Sequence, residues 1–436
     1  MNGSKGLVIA APASGSGKTT ITLALLRALT RAGHTVASAK VGPDYIDPKF
    51  HEAASGRACV NLDAWAMRPT LLAALAARQA EDAKHLIIEG VMGLFDGAGD
   101  GSGSTADVAA ALNLSVVLVV DVRAQAQSTA ALVAGFASHR ADVNIAGVIL
   151  NRVGSARHAE MIKAAMEPLG LPVLGAVMRS SDLELPSRYL GLVQAGEHDD
   201  LEAFLEHAAD SVGKQVSIPD LLDLAAPIAT TSPPSPLPPL GQRIAVASDA
   251  AFAFFYPHLA QAWQDAEVSF FSPLADEAPD LSADAVFLPG GYPELHAGRL
   301  AGASRFAAGM HQAAERGALI YGECGGYMTL GEGLTDKDSV RHAMLGLLPV
   351  ETSFEHPRLH LGYRRLIPQS GAPWQQILRG HEFHYAQTLR QGAAPPLFSA
   401  SDALGSRTEE MGCRVDRVMG SFAHIIDVED QRGSVT

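Results

Sequence analysis

The sequence predicts an α/β protein of two domains, and two observations support this fold class. Short apolar segments typical of β-strands alternate with amphipathic segments of helical length, which indicates parallel sheets covered by helices on both faces. This alternation occurs on both sides of a proline-rich segment that can form neither a helix nor an inner strand. We therefore expect a first domain at 1–225, a stiff surface linker at 226–242 and a second domain at 243–436.

Strand and helix alternate in the predicted order of elements in both domains. In the first domain the apolar segments predict strands at Leu7–Ala11, His34–Val41, His85–Ile88, Val116–Val120 and Ile145–Leu150. Helices are predicted at Thr20–Thr30, before the terminating Gly33, and at Ala106–Leu112 and Ser128–His139. The second domain is predicted to contain strands Ile244–Ala247, Ala285–Leu288 and Ala318–Gly322, and the helix Arg305–Arg316.

Composition excludes several classes of function. The chain has 33 basic and 47 acidic side chains and a formal charge of −14, which argues against nucleic acid or an anionic membrane as its partner. Cys59, Cys324 and Cys413 are too few and too scattered for a disulfide framework or a zinc site, and we predict structural roles for the first and the last. The N-terminal apolar segment is too short for a signal peptide, and no segment is apolar enough to span a membrane. We therefore expect a cytoplasmic protein.

Residues 11–20 read APASGSGKTT between a predicted strand and a predicted helix, which is the setting of a phosphate-binding loop. In such loops backbone N–H groups surround phosphate oxygens, the lysine reaches the β- and γ-phosphates, and the next hydroxyl binds Mg²⁺. The motif usually begins with glycine where this chain has Pro12, and the alternative is an ordinary turn with an exposed lysine. The predicted ATP site consists of Ser14, Gly15, Ser16, Gly17, Lys18, Thr19 and Thr20.

Acidic residues follow several predicted strands of the first domain. Glu89 comes directly after an apolar strand, and Asp44, Asp47 and Asp96 lie on loops after strands. Because the carboxyl ends of parallel strands meet at one edge of a sheet, four acidic residues there favour a metal or substrate site over solvated turn aspartates. Lys40, at the end of a strand, is either a group that stabilises a transferring phosphoryl group or a solvated lysine.

The second domain contains the sequence GECGG at 322–326, after a predicted strand. A sharp turn between strand and helix requires small neighbours around a nucleophile, here Cys324, and the following helix N-terminus is expected to lower the pKa of the thiol. His424, in the segment GSFAHI, is a candidate base for this cysteine. Backbone N–H groups are also available for an oxyanion hole. The residues predicted to form it are Gly290, Gly291 and Gly325.

The order of eleven segments resembles that of the cobyrinic and hydrogenobyrinic acid a,c-diamide synthases. The segments are APASGSGKTT, KVGPDYIDPKFH, NLDAW, EGVMGLFDG, STADVA, GVILNRVGSARH, PSRYLGLV, LPGGYPE, GECGGYM, RGHEFHYA and GSFAHI. GPDYIDP and EGVMGLFDG are far more specific than the phosphate loop alone, and the resemblance covers nearly the whole chain outside the linker. That family joins a dethiobiotin-synthetase-like ATPase domain to a class I glutamine amidotransferase domain. The resemblance therefore implies a P-loop parallel-sheet domain followed by a flavodoxin-like domain.

The resemblance also implies the chemistry, which belongs to cobalamin biosynthesis. ATP, with Mg²⁺, phosphorylates a carboxylate of a corrinoid polycarboxylate, the cysteine releases ammonia from glutamine, and the ammonia displaces phosphate, first at one and then at the other of carboxylates a and c. The implied catalytic pair is Cys324 and His424, the metal site is Thr19, Asp44 and Glu89, and the phosphorylation site is Lys40, Asp44, Tyr45, Asp47 and Asp96. Asn151 and Arg152 either approach the adenine or form a plain strand end.

The chain departs from the family pattern at two positions. Where many class I amidotransferases have glutamate two residues after the catalytic histidine, and this family commonly has histidine, this chain has Ile426. A Cys–His dyad is therefore expected, with nothing assigned to orient the histidine. Tyr189 replaces a histidine that the family tends to have. His381 and His384 match the family, but their role, at a domain interface, at the macrocycle or in the fold, stays open.

Three alternative functions compete with this interpretation. A cobyric acid synthase shares the two-domain plan and amidates four other carboxylates. A P-loop switch ATPase with an inactive amidotransferase domain would need a signature lysine where this chain has Ala13. A glutaminase whose first domain merely binds nucleotide would leave the acidic loops unexplained. The motifs do not separate cobalt-containing from metal-free substrates, and the oligomeric state stays open, with a homodimer as one option.

Overall fold

The strands of the first unit form a sheet that is parallel along its whole path. The computed structural model describes residues 3–184, 187–188, 191–192 and 200–430. The chain folds as two compact units, the first formed by Met1–Trp65 and Pro69–Pro234 and the second by Ala66–Arg68 and Ser235–Thr436. In the first unit seven strands pair in the order β3-β2-β4-β1-β5-β6-β7, and β10 adds to β1 in the antiparallel sense. β8 and β9 form a separate antiparallel pair. The strands are β1 (Lys5–Ala10), β2 (Val36–Val41), β3 (Val60–Leu62), β4 (His85–Glu89), β5 (Val116–Asp121), β6 (Ile145–Val153), β7 (Val173–Met178), β8 (Ser187–Arg188), β9 (Gly191–Leu192) and β10 (Ala226–Pro227).

Helices cover this sheet because its strands are apolar on both faces. Every residue of β2 and β4 is buried, the pattern of parallel strands rather than of half-exposed ones. The longest helix begins at Lys18, directly after the phosphate loop, and packs mainly against the helix that begins at Leu201. The helices of the first unit are α1 (Lys18–Arg31), α2 (Asp47–Ser55), α3 (Pro69–Gln79), α4 (Thr105–Leu112), α5 (Ser128–His139), α6 (Ala156–Met166), α7 (Leu201–Gly213) and α8 (Ile218–Asp223).

The second unit contains one mainly parallel sheet and two further sheets of short strands. The six-stranded sheet has the order β12-β11-β13-β14-β24-β23, with only the last pair antiparallel. A five-stranded antiparallel sheet follows the order β22-β21-β18-β19-β25, and a four-stranded sheet the order β16-β15-β17-β20. The strands are β11 (Arg243–Ala247), β12 (Glu267–Phe271), β13 (Ala285–Leu288), β14 (Leu319–Glu323), β15 (Gly333–Thr335), β16 (Arg341–Ala343), β17 (Val350–Ser353), β18 (His360–Pro368), β19 (Leu378–His384), β20 (Gln387–Gln391), β21 (Phe398–Ser401), β22 (Thr408–Met411), β23 (Cys413–Val415), β24 (Val418–Ser421) and β25 (His424–Val428). The helices are α9 (Pro257–Ala262), α10 (Ala297–Gly302), α11 (Ser304–Glu315) and α12 (Gly325–Leu330).

The predicted fold class is confirmed, and the structure adds elements that the sequence pattern did not indicate. The predicted strands and helices all occur, with ends that move by a few residues. The sheets after residue 330 were not predicted, because strands such as β20, QTLRQ, have one partly buried and four exposed residues and carry little apolar signal. Within the segment predicted to be linker, Ala226–Pro227 pairs with β1.

Among the residues that the structure describes, no helix combines the length and the apolar character needed to cross a membrane.

Candidate active sites

The phosphate loop connects β1 to α1 and depends on glycine at two positions. Gly15 and Gly17 have φ of +74° and +90°, a left-handed conformation that favours glycine. A Cβ on Gly17 would lie 2.2 Å from the Nδ2 atom of Asn151. The Asn151 amide donates to the carbonyl of Ser16 at 2.8 Å, and the Arg152 guanidinium donates to the carbonyl of Gly15 at 2.6 Å. Asn151 and Arg152, considered above for adenine, therefore support the phosphate loop itself.

Lys18 is a buried cation at the start of α1. Its ammonium group donates to the carbonyl of Met92 at 2.5 Å, and its side chain is 7% exposed. Burial, with a smaller contribution from the nearby Lys40, lowers the pKa of Lys18 to about 8. An anion bound next to this ammonium group would stabilise its charge. In phosphate loops the lysine binds the phosphates of the nucleotide in this way.

Four charged side chains and one hydroxyl converge beyond the ends of β2 and β4. The Thr19 hydroxyl donates to Glu89 Oε1 at 2.6 Å, and Lys40 Nζ lies 2.7 Å from the same oxygen and 2.6 Å from Asp47 Oδ2. On the other side, His51 Nε2 lies 2.7 Å from Glu89 Oε2. Lys40 is only 3% exposed, so it is a member of this cluster and not a solvated lysine.

The cluster fixes the charges of its members. Burial alone would raise the pKa of Glu89, but Lys40 and His51 outweigh it and lower that pKa well below its ordinary value. For Lys40, burial opposes the charged form, but Asp47 and Glu89 raise its pKa above the ordinary value. Contacts with Cys59 and Glu89 likewise overcome burial and raise the pKa of His51 to about 10. Glu89 is therefore an anion between two cations.

Asp44 and Asp96 are placed differently from Asp47. Asp44 Oδ1 accepts the backbone N–H groups of Ile46 and Asp47 at 2.9 and 3.0 Å, so this carboxyl group shapes the loop before α2. Burial and the neighbouring Asp47 raise the pKa of Asp44 to about 6. The exposed Asp96 accepts the N–H of Gly93 at 2.9 Å. Tyr45, which is half-buried, lies on the same loop as Asp44.

His51, to which no sequence motif assigns a role, lies against Glu89 in the first site. It lies in α2, one turn beyond Asp47, and its only sequence signal was membership of the segment KVGPDYIDPKFH. Its Nδ1 atom lies 3.6 Å from the sulfur of Cys59. Cys59, predicted to be structural, is thus buried against this site. Tyr189 lies outside the described residues.

The predicted nucleophile elbow is formed between β14 and α12. Cys324 has φ +47° and ψ −105°, a strained conformation for a residue with a side chain. The turn leaves no room for a side chain at position 326, because a Cβ on Gly326 would lie 1.9 Å from the carbonyl oxygen of Leu288. The same turn requires Gly322, whose Cβ would lie 2.7 Å from Leu330. These contacts explain the GECGG pattern.

The pKa of Cys324 moves in the direction opposite to the prediction. The thiol is 2% exposed, and burial, with a smaller contribution from Glu294, raises its pKa above the ordinary value. The N–H of Gly325 lowers the pKa as expected for a helix N-terminus, but this effect is smaller than that of burial. The resting thiol keeps its proton and lies 3.9 Å from the carbonyl oxygen of Phe383.

His424 and Cys324 both lie against Gly290. A Cβ built on Gly290 would lie 2.3 Å from His424 Cε1 and 3.2 Å from the Cβ of Cys324. A Cβ on Gly325 would lie 3.0 Å from the N atom of Gly291. The structure therefore brings the three predicted oxyanion-hole glycines together beside Cys324. Burial, with contributions from His381 and His384, lowers the pKa of His424 well below its ordinary value, so the resting imidazole is neutral.

The histidines of RGHEFHYA lie next to this site. The ring of His381 stacks on that of His424, with centroids 4.8 Å apart and planes 9° apart, and its Nε2 lies 3.0 Å from the Tyr256 hydroxyl. His384 Nε2 lies 2.8 Å from Glu382, and the second oxygen of Glu382 accepts from Arg364 at 2.6 Å. His381 thus packs directly on His424, and His384 is fixed by Glu382 in the same strand. Cys413 is buried, with its sulfur 3.5 Å from the Tyr327 hydroxyl.

Comparison with known proteins assigns the two units. Residues 7–193 match the CobQ/CobB/MinD/ParA nucleotide binding domain, and residues 243–431 match the CobB/CobQ-like glutamine amidotransferase domain. A nucleotide-binding domain joined to a glutaminase defines a glutamine-hydrolysing, amidating ligase, and the chain is an enzyme of this class.

Relatives that span the whole chain narrow this class to one family. The hydrogenobyrinate a,c-diamide synthase of Brucella anthropi is 58% identical over 97% of this chain and 98% of its own length. The proteins of the same name from Rhizobium meliloti and Mesorhizobium japonicum are 56% and 50% identical, over 98% and 97% of this chain and 100% and 98% of their own lengths. The chain belongs to the hydrogenobyrinate a,c-diamide synthase family.

Proposed function

We propose that this chain converts the a and c carboxylates of hydrogenobyrinic acid to carboxamides, with ATP as the activating reagent and glutamine as the nitrogen source. The observation that carries the proposal is the 50–58% identity, along almost the whole chain, to proteins named for this reaction. The two sites support it, since one has the groups for phosphoryl transfer and the other those for glutamine hydrolysis.

Activation at the first site proceeds through an acyl phosphate. A carboxylate oxygen of the substrate attacks the γ-phosphorus of ATP and ADP leaves. Ammonia then adds to the acyl carbon and inorganic phosphate leaves. Lys18 and Lys40 offset the negative charge that accumulates on the transferring group. Activation is required because a carboxylate resists attack by ammonia, whereas an acyl phosphate has a leaving group.

The same site fits Mg²⁺. A hydroxyl and carboxylates are the hard oxygen donors that this ion prefers, and Thr19 and Glu89 place two of them 2.6 Å apart. Thr19 and Glu89, with Asp44 as the third predicted ligand, would bind the ion, and Asp47 Oδ2 lies 3.4 Å from the Thr19 hydroxyl. When bound, Mg²⁺ neutralises phosphate charge. Lys40 already lies between Glu89 and Asp47, so it keeps these two anions in place.

Glutamine is hydrolysed at the second site. The Cys324 sulfur attacks the side-chain carboxamide as His424 takes the thiol proton, and the N–H groups of Gly290, Gly291 and Gly325 stabilise the oxyanion. The imidazolium returns its proton to the leaving nitrogen, which departs as ammonia, and water hydrolyses the thioester to glutamate. The resting protonation states of a neutral imidazole and a protonated thiol are the ones this sequence starts from.

We further propose that the protein works in the cytoplasm on small molecules, without nucleic acid or a membrane. Its charge of −14 supports this proposal. A homodimer is compatible with the symmetry common among enzymes. The metal-free substrate is proposed over the cobalt-containing one because the relatives are named for hydrogenobyrinate.

The product mass tests the proposed function. The protein is incubated with ATP, Mg²⁺, glutamine and either hydrogenobyrinic or cobyrinic acid, and products are analysed by mass spectrometry. We expect a diamide from hydrogenobyrinic acid that requires both ATP and glutamine. Preferential conversion of cobyrinic acid would contradict the choice of substrate. Conversion of the a,c-diamide to higher amides would instead identify a cobyric acid synthase.

A further inference from the structure

The position that orients the histidine in many class I amidotransferases is apolar in this chain. Ile426, two residues after His424, is 1% exposed and has no group that can accept a proton or a hydrogen bond from an imidazole. A buried imidazole that becomes an imidazolium during the reaction nevertheless needs a partner, because an unpaired charge in a buried site is strongly unfavourable. Another residue therefore has to supply this function.

Glu323, the residue immediately before the nucleophile, contacts both the ring and the backbone at His424. Its Oε2 atom lies 3.8 Å from His424 Nδ1. Its Oε1 atom accepts the backbone N–H of Ile425, the next residue in the chain, at 3.1 Å. The carboxyl group is thereby fixed at the start of β25 and faces the imidazole nitrogen. The 3.8 Å between Oε2 and Nδ1 is longer than a hydrogen bond, and such contacts commonly tighten when substrate binds.

Glu382 also raises the pKa of His424, but both of its carboxylate oxygens already have partners. Glu382 is hydrogen-bonded to His384 through one oxygen and to Arg364 through the other. The negative charge of Glu294 raises the pKa of the Cys324 thiol. His381 supports the other side of the imidazole by stacking, but burial lowers its pKa to about 3, so it adds no charge. Glu323 in turn places a carboxyl oxygen 3.8 Å from His424 Nδ1.

We propose that Glu323 is the positioning residue for His424, and that it replaces the glutamate missing at position 426. This inference rests on the proposed role of Cys324 and His424 in glutamine hydrolysis. The carboxylate holds the imidazole with Nδ1 toward Oε2, so that Nε2 is directed to the reacting atoms. It also stabilises the imidazolium that forms when the thiol gives up its proton.

The protonation of Glu323 gives the arrangement a characteristic pH dependence. Burial raises the pKa of Glu323 to about 8, against the lowering effects of the Ile425 N–H and the Tyr321 hydroxyl. The carboxylate is the form that stabilises an imidazolium, so glutamine hydrolysis should increase as the pH rises through this value. The other titratable or charged groups around the pair are Cys324, Glu294, His381, Glu382, His384 and Arg364.

Glu323→Gln tests the proposal because it keeps the size and removes the charge. Glutamate release is measured without ATP or corrinoid, so that an error in the assigned substrate does not affect the result. We expect kcat to fall on the order of 10²-fold, with little change in KM and a displaced pH profile. Amidation with ammonium and ATP should be unchanged, because it does not use this site. Glu332→Gln, at a partly exposed position of the same unit, is the matched control.

Two further measurements distinguish a positioning role of Glu323 from a purely structural one. The first is the rate of Cys324 alkylation by iodoacetamide as a function of pH. We expect the parent enzyme to show a change in rate where Glu323 titrates, and Glu323→Gln to lack this change. The second is the glutaminase activity of Glu323→Asp, which should be retained in part because the variant keeps a carboxylate. A wild-type kcat and pH profile in Glu323→Gln would overturn the proposal. Equal losses in the Gln and Asp variants, with unchanged alkylation profiles, would also overturn it, since that outcome indicates a purely structural role. Full glutaminase activity in Cys324→Ala would refute the proposed function itself.

Discussion

At the scale of single residues, buried charges in the first site are stabilised because each has a partner. Lys40 lies between Asp47 and Glu89, and Glu89 lies between Lys40 and His51. Removing one member of a buried pair leaves the other uncompensated, which typically costs 3–5 kcal/mol. The sequence indicated Lys40, Asp47 and Glu89 because they follow strands in an ordered pattern. It did not indicate His51, because a helical histidine shows its partner only after the chain has folded.

His51→Gln should make the stability of the first unit less dependent on pH. The fold raises the pKa of His51 from 6.5 to about 10, so the charged form stabilises the folded chain fully below pH 6.5, and this contribution is lost as the pH rises through about 10. We expect the variant to lose about 1–3 kcal/mol at pH 6 and less at pH 10. Urea unfolding of the full chain at several pH values measures this, with the first-unit transition identified as the one that a non-hydrolysable ATP analogue shifts. A loss that is constant from pH 6 to pH 10 would contradict the assignment of charge to His51.

At the scale of elements, both sites are built where a strand ends and the chain turns sharply into a helix. β1 leads through the glycines of the phosphate loop into α1, and β14 leads through Cys324 into α12. These turns could be predicted because they require small residues at fixed spacing beside a functional group. The antiparallel strands β18 to β22 could not, since their register depends on pairing with distant strands and their exposed residues show little pattern. The sequence did not indicate a role for Glu323 either, because its neighbour His424 is about a hundred residues away in the chain.

Gly326→Ala should damage the cysteine elbow. The added Cβ would lie 1.9 Å from the carbonyl oxygen of Leu288, so the backbone of the turn has to move. We expect a loss of about 1–3 kcal/mol in the stability of the second unit and a large loss of glutaminase activity. Gly302→Ala, where nothing lies within 4 Å of the new Cβ, is the control and should be neutral. Unfolding curves and glutamate release measure both variants, and an active, stable Gly326→Ala would refute the account of the elbow.

At the scale of the whole molecule, one chain carries two reactions that use different reagents. The family assignment confirms the resemblance drawn from eleven segments, and it favours an amidating ligase over a switch ATPase or a glutaminase that merely binds nucleotide. The whole-chain match was predictable because GPDYIDP and EGVMGLFDG are long and specific. The choice of the metal-free over the cobalt-containing substrate could not be predicted, because no sequence motif distinguishes the two.

Lys18→Ala and Cys324→Ala should separate the two reactions. Cys324→Ala is expected to lose amidation driven by glutamine by on the order of 10³-fold, while amidation with ammonium and ATP is retained. Lys18→Ala should lose both, because the phosphoryl transfer precedes the use of ammonia from either source. Lys49→Ala, at an exposed position of α2, is the control for Lys18→Ala. Amide formation is followed by mass spectrometry, and an unchanged glutamine-driven rate in Cys324→Ala would show that the nucleophile is wrongly assigned.

The burial of Cys324 has a consequence for the protein in an oxidising cell. Peroxide and electrophiles react with the thiolate, and a buried thiol whose pKa is raised presents very little of it. The enzyme should therefore survive oxidative stress that inactivates proteins with an exposed, acidic cysteine. The same property keeps the resting sulfur unreactive, since it becomes nucleophilic only when His424 takes its proton.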